Sequence, residues 1–421
     1  MGPLRMTVAL MILMSGPANA MLRQSLHRSR SSLASYTYAD YVHEFSRQVS
    51  QGSEEYHKRH ELFKTSLAQV LNHNLKPNRL WTAGVHAFMD WTQEERGALN
   101  GYKPSRRSSG AVSALQMGTA SADSMSSHSN ATLQRGVPVR QQGSCGSCWA
   151  ISAVEALEAQ LRRQGGEGSD SRVSAQALVD CVPNPEHCGG SGGCDGATGE
   201  LAYAYIRDHG IPLEEDLPYQ GRTGTCNMAA APSKKVRVSG WTALPSNQAA
   251  PLMQALNEKG PVVVAVDGND WFNYESGIFD GCSKDAILGH AVLLKGYGSQ
   301  DGTNYWLIQN SWGRDWGENG DIRLLRHDDE DSWCGVDDKP SEGVGCDGGP
   351  SKVTVCGSCG LLYDAIIPEG VAIEETRSSV SALSSDVTVE QAEKDTFSGS
   401  TALGDSEDKS MDAILQKLRG R

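Results

Sequence analysis

The 421-residue chain is short of positive charge: 38 lysines and arginines stand against 51 aspartates and glutamates, a net charge of −13. That balance argues against nucleic acid or an anionic membrane as a partner and reads as a solvated acidic surface. Beyond the N-terminus no stretch approaches the roughly 18 apolar residues of a membrane-crossing helix, so no membrane span is expected and the mature protein should be soluble. No internal repeat is present, which leaves no basis for a repeat architecture. What remains is a 38% hydrophobic share in a chain long enough for two to three average domains, enough for packed cores in at least part of it.

Residues 1–20 carry one early cation, Arg5, then the apolar run 6–14, then Ala18-Asn19-Ala20. This is the pattern of a cleavable secretory signal, too short to span a bilayer. In an exported chain Asn130-Ala131-Thr132 is an N-glycosylation acceptor at Asn130. Eleven cysteines then imply disulfides, and the odd count leaves at least one thiol whose role must come from its surroundings.

Residues 36–100 read as a small helical domain, with Tyr41, Phe45 and Val49 on one stripe and Leu62, Phe63, Leu67, Val70 and Leu71 on another. Residues 101–133, rich in Ser, Gly and Ala with Arg106 and Arg107, read as a cleavable linker and are expected to hold a maturation boundary. Residues 134–368 contain all eleven cysteines. Their first half is helical in pattern, with Ala150, Val154, Leu157 and Leu161 on one face; their second half carries the strand-like runs 262–266, 291–294 and 305–308. An α+β fold with a helical lobe followed by a β-rich lobe is expected. Residues 369–421 form an acidic, Ser-rich tail expected to be disordered up to a short amphipathic helix at 411–418.

The chemistry centres on Gln142-Gly143-Ser144-Cys145-Gly146-Ser147-Cys148-Trp149-Ala150. Gly143 and Gly146 permit a tight turn and a helical pattern starts directly after it, so Cys148 is expected at a helix N-terminus, where the dipole favours thiolate. Cys145-x-x-Cys148 also fits a redox pair or half of a zinc site. Two downstream residues favour nucleophilic catalysis over both. His290, in Leu288-Gly289-His290-Ala291-Val292, would project from the start of a strand. Asn310, in Gln309-Asn310-Ser311-Trp312-Gly313, would accept the imidazole's second N–H and fix its tautomer, with Trp312 covering that bond. The Gln142 amide and the Cys148 backbone N–H would form an oxyanion hole.

These motifs resemble the papain/cathepsin L family of cysteine peptidases, over roughly residues 36 to 368. His290 follows Cys148 by 142 residues and Asn310 by 162, against roughly 130–150 for such signatures; a longer loop at 184–193 and a longer turn at 298–303 account for the excess. The resemblance implies a papain-like two-lobe fold with a helical left lobe and a β-barrel-like right lobe, preceded by an inhibitory propeptide at 36–100. It implies a cysteine endopeptidase precursor that works through a Cys148 thioester once the propeptide is removed. No cofactor or metal is implied. The expected partners are protein and peptide substrates and the chain's own propeptide, the expected state is a monomer, and the expected destination is a lysosome-like acidic compartment or the extracellular space. A pseudoprotease that only binds is the alternative, and every residue the chemistry needs is present against it.

Within the propeptide, Glu55, Arg59, Phe63, Val70 and Asn74 match an interspersed helix motif in which Ser66 replaces an Asn and Val70 an Ile; His86 stands where a second motif, Gly84 to Asp90, usually has Asn. This propeptide type implies the cathepsin L-like branch. The family's disulfides carry over as Cys145–Cys194, Cys181–Cys226 and Cys282–Cys359. Cys188, Cys334, Cys346 and Cys356 are left open, the last three in an insertion at about 326–358, with two extra disulfides favoured over zinc binding by Cys334, Cys346, Cys356 and Cys359. The family's Asp-Trp-Arg is missing before Gly136. Ala197 replaces the second glycine of the substrate-binding loop that begins at Gly196, where backbone pairing with a peptide is expected to persist. The resemblance places Asp364 at the floor of the pocket for the substrate's P2 side chain, with Thr198, Gly199, Ala265, Leu288 and Ala291 as its walls. Such a slot should accept Leu, Val or Phe, and Arg by pairing with Asp364.

Overall fold

A computed structural model describes residues 30–99, 136–227 and 234–375. The leader, the linker with Asn130 and the acidic tail with its expected helix lie outside the described residues.

The N-terminal domain is helical, as its stripes predict, with helices Arg30–Ala34, Tyr38–Glu44, Glu54–Leu75 and Gln93–Leu99. Thr37 and Asp40 form a reciprocal capping box at the second helix, and the Ser53 hydroxyl accepts the Tyr56 N–H at the third. The stripe through Tyr41 and Phe45 does not continue to Val49, because Ser46 takes a left-handed φ of 51° and ends the helix. Tyr38, Tyr41, Phe63 and Val70 are buried together as the domain's own core.

The interspersed motif residues tie the long helix to the segment that follows it. The Asn74 amide donates to the Ala83 carbonyl at 2.7 Å and accepts the Ala83 N–H at 2.9 Å. Arg59 donates to the Asp90 carbonyl at 2.8 Å and pairs with Glu55 and Glu95. The Ser66 hydroxyl donates to the Met89 carbonyl at 2.8 Å. His86 is buried in this domain.

The main unit has two lobes. Helices Cys148–Gln164, Ala175–Cys181 and Gly199–His209 pack through Ala153, Leu157, Leu178, Leu201 and Ile206 into the first core. The second lobe is built on one sheet, in the order Trp81–Ala83, Tyr274–Phe279, Asp321–Leu325, Thr303–Gln309, His290–Gln300, Val262–Val266, Ala365–Glu369 and Gly240–Ala243. Tyr274–Phe279 and Asp321–Leu325 run parallel; the other neighbours run antiparallel. The sheet does not close, which corrects the β-barrel-like lobe expected from the resemblance. One edge is covered by Trp81–Ala83 from the N-terminal domain, and the other, Gly240–Ala243, lies against helix Gly199–His209. Covering an edge shields it from pairing with another chain without the closure of a barrel.

The three expected disulfides form, and the four remaining cysteines pair as Cys188–Cys346 and Cys334–Cys356. Zinc ligation by those thiols is therefore excluded, and a Cys145–Cys148 redox pair is too, since Cys145 is bonded to Cys194. Among the described residues Cys148 is the free thiol, and it is buried.

Candidate active site

Cys148 opens helix Cys148–Gln164. Ser147 does not cap that helix through its side chain; its hydroxyl lies 2.5 Å from the Tyr219 hydroxyl instead. The thiol is thus at the expected helix N-terminus, yet burial pushes it up to about 11, with backbone N–H groups of Ala291 and Trp149 offsetting only part of the rise. In the zymogen burial therefore works against the thiolate that the helix N-terminus was expected to favour.

His290 is the first residue of strand His290–Gln300, in register with Val266 on the neighbouring strand. Its Nε2 lies 2.8 Å from Asn310 Oδ1, which the Ser311 backbone N–H also approaches at 2.8 Å. An oxygen acceptor on Nε2 requires the proton there and leaves Nδ1 as the ring's acceptor. Nδ1 is buried without a hydrogen-bond partner, and His290 lines one pocket together with Cys148. Burial lowers the imidazole to about 4, against the smaller upward effect of the Asn310 hydrogen bond. The Trp312 ring stacks over the imidazole with centroids 5.3 Å apart, as expected of a cover, and Phe272 stacks on the indole in turn at 4.7 Å.

The Gln142 amide is held by contacts that give it one orientation. Ser311 Oγ donates to Gln142 Oε1 at 2.6 Å, which turns Nε2 toward the carbonyls of Leu99, at 2.8 Å, and Cys145, at 2.9 Å. Leu99 closes the last helix of the N-terminal domain, so a carbonyl from that domain sits on the amide expected to bind a substrate's oxyanion. Phe88 from the same domain meets the Trp312 ring edge-on at 5.4 Å. Sequence reasoning missed Ser311 and Tyr219, which donates to the Gln142 carbonyl at 2.8 Å. The first adjoins Asn310 in its motif; the second carries no local signal.

The pocket beside Cys148 and His290 is lined by Ala197, Thr198, Gly199 and Glu200 from the left lobe and by Ala265, Leu288, Ala291 and Asp364 from the right. Gly196 and Trp312 do not line it. The Gly196 carbonyl accepts the Gly192 N–H at 2.7 Å, so that group, expected to pair with a peptide, is engaged within its own loop. Gly189 and, from the insertion, Gly343 and Val344 line the pocket without having been anticipated.

A model of the papain family of cysteine proteases matches residues 126–344, and a model of the cathepsin propeptide inhibitor domain (I29) matches residues 38–95. The cathepsin L-like proteinase of Phaedon cochleariae is 33% identical over 286 residues, covering 66% of this chain and 84% of that protein. The probable cysteine protease RD21B of Arabidopsis thaliana is 34% identical over 277 residues, 64% of this chain and 57% of that longer one. Among solved structures, the digestive procathepsin L2 proteinase from Tenebrio molitor larval midgut is 30% identical with a TM-score of 0.61, covering 80% of this chain and 99% of that one. With an inhibitor domain laid across a cysteine–histidine site, the chain belongs to the papain family of cysteine proteases and has the form of a zymogen.

Proposed function

We propose that the mature protein is a cysteine endopeptidase that cleaves proteins and peptides, with Cys148 as nucleophile, His290 as general base and acid, and Asn310 as the residue that orients the imidazole. The observation that carries this reading is the pairing of a free thiol with an imidazole whose Nε2 is held by Asn310 and whose Nδ1 has no other partner, in one pocket. His290 takes the Cys148 proton as sulfur attacks the substrate carbonyl, then gives it to the leaving amine as the C–N bond breaks. Water, deprotonated by the same imidazole, adds to the thioester; the acid leaves and the thiol is restored. The Gln142 amide and the Cys148 N–H receive the oxyanion in both halves. In the zymogen the Leu99 carbonyl occupies that amide, so removal of the propeptide is the step that frees it.

The leader pattern and five disulfides support passage through the secretory route, with an acidic compartment or the extracellular space as destination and a monomer as the working form. No helix among the described residues is long and apolar enough to cross a membrane.

The test is labelling of acid-treated protein with an epoxide thiol inhibitor, beside turnover of a peptide substrate. Wild-type protein is expected to label and to turn over; Cys148→Ala is expected to do neither while remaining a folded, unprocessed precursor. Turnover retained in Cys148→Ala would remove Cys148 from the chemistry.

A further inference from the structure

The insertion at 326–358 reaches from one lobe to the other. At the right-lobe end it is anchored by Asp337, a buried carboxylate that accepts the Leu288 N–H at 3.2 Å and the Lys339 N–H at 2.9 Å. At the left-lobe end Cys346 is bonded to Cys188, the Gly189 N–H donates to the Gly345 carbonyl at 3.0 Å, and the Asp347 N–H donates to the Glu186 carbonyl at 2.9 Å. Both cysteines are buried in the left-lobe core. Residues 338–347 therefore form a strap between lobes, covalently fastened at its far end.

That strap crosses at the substrate pocket. Gly343 and Val344 line it, between Gly189 and Thr198 on one lobe and Leu288 and Asp364 on the other. The approach is close: a Cβ on Gly343 would lie 2.1 Å from the Leu288 carbonyl oxygen. Val344 packs with the apolar cluster of Ala265, Leu288 and Tyr363. No described propeptide residue lines the pocket, so the strap shapes it in the mature enzyme as well. The pocket is open on one side and narrow within, with an inner space of about 40 Å³. A compact aliphatic side chain fits so narrow a slot better than a planar ring does.

We propose that the strap is a specificity-determining wall: held by Cys188–Cys346, it fixes the width of the pocket between the lobes and selects compact aliphatic P2 side chains over aromatic ones. This rests on the endopeptidase reading and narrows the range of P2 residues that the sequence alone allowed. A free lobe-to-lobe gap would let the pocket widen around a ring; a strap joined to both lobes does not, and a misfit of a few carbons in an apolar pocket is worth about tenfold or more in selectivity.

The test compares peptides that differ only in Val, Leu or Phe at P2, with each enzyme's active-site concentration set by epoxide titration. The wild-type enzyme is expected to favour Val or Leu over Phe by about tenfold or more in kcat/KM. Val344→Ala, which leaves the disulfide intact, and the double variant Cys188→Ser/Cys346→Ser are each expected to raise the Phe-to-Val ratio severalfold. A wild-type enzyme indifferent between Phe and Val, or variants whose kcat/KM changes by one factor for every P2 residue, would overturn the proposal and leave the strap a purely structural brace. A wild-type protein that neither labels nor turns over would overturn the endopeptidase reading itself.

Discussion

Asp364 and Glu200 each bring a carboxylate to a pocket whose other walls, such as Ala197, Gly199, Ala265 and Leu288, are mostly small and apolar. The backbone of Asp364 is fixed, with its carbonyl accepting the Ala265 N–H at 3.0 Å. A guanidinium that reaches the Asp364 carboxylate pairs with it in a geometry that ammonium does not match. Asp364→Ala is expected to lower kcat/KM for Arg at P2 by about tenfold or more, an ion-pair loss of roughly 1.5–3 kcal/mol, and to leave Leu at P2 nearly unchanged. Equal losses on the two substrates would show that the side chain does not meet P2. At this scale the sequence was already informative. Cys148 and His290 open a helix and a strand, Asn310 follows a strand directly and Gln142 stands in the turn before the helix, so each falls in a short motif. Gly343 and Val344 were illegible, since nothing within residues 338–347 announces which distant pocket the chain will cross.

The propeptide acts on the enzyme mainly through two elements. Strand Trp81–Ala83 adds antiparallel to Tyr274–Phe279 at the sheet edge, and helix Gln93–Leu99 delivers the Leu99 carbonyl to Gln142. Strand addition holds a segment through backbone groups and depends on the segment being presented in extended form. Asn74 presents it: its amide takes both the N–H and the C=O of Ala83. Asn74→Ala would remove both of these bonds from a buried strand residue, a cost of about 1–3 kcal/mol. The variant precursor is expected to melt several degrees below wild type and to process faster on acidification. An unchanged melting temperature together with an unchanged processing rate would show that Asn74 does not hold the strand. The motif around Asn74 could be read from spacing along one helix face, because a 3.6-residue period is a local property. Its target could not, because the partner strand lies about two hundred residues away along the chain.

Across the whole molecule, acid and base pull on the lobe interface in opposite directions. Glu155, on the first helix of the left lobe, is fully buried near Gln309 of the right-lobe sheet; burial raises its carboxyl to about 8, against the neighbouring Arg140. Its proton stays on in the folded protein at pH values where the unfolded chain has lost it, so this group's contribution is present at acid pH and falls away as pH rises from about 4.5 through about 8. His290, lowered to about 4, has the reverse effect: the unfolded chain takes up a proton below about 6.5 that the folded protein refuses, so stability falls between there and about 4. Glu155→Gln keeps the shape and removes the titration. The variant precursor is expected to lose less melting temperature than wild type between pH 5 and pH 8, and an identical decline in the two would assign that loss to other groups. The sequence by itself determined the family, three disulfides and the order of helical domain, helical lobe and β-rich lobe, and pointed to the proposed catalytic set, because these rest on short motifs and on hydrophobic periods. Only the tertiary structure decided that the sheet stays open, that burial moves Cys148 up and His290 down, and that the insertion crosses the pocket to join Cys346 to Cys188. Each of those depends on burial or on proximity between segments far apart in the chain, and neither is a property of any local stretch.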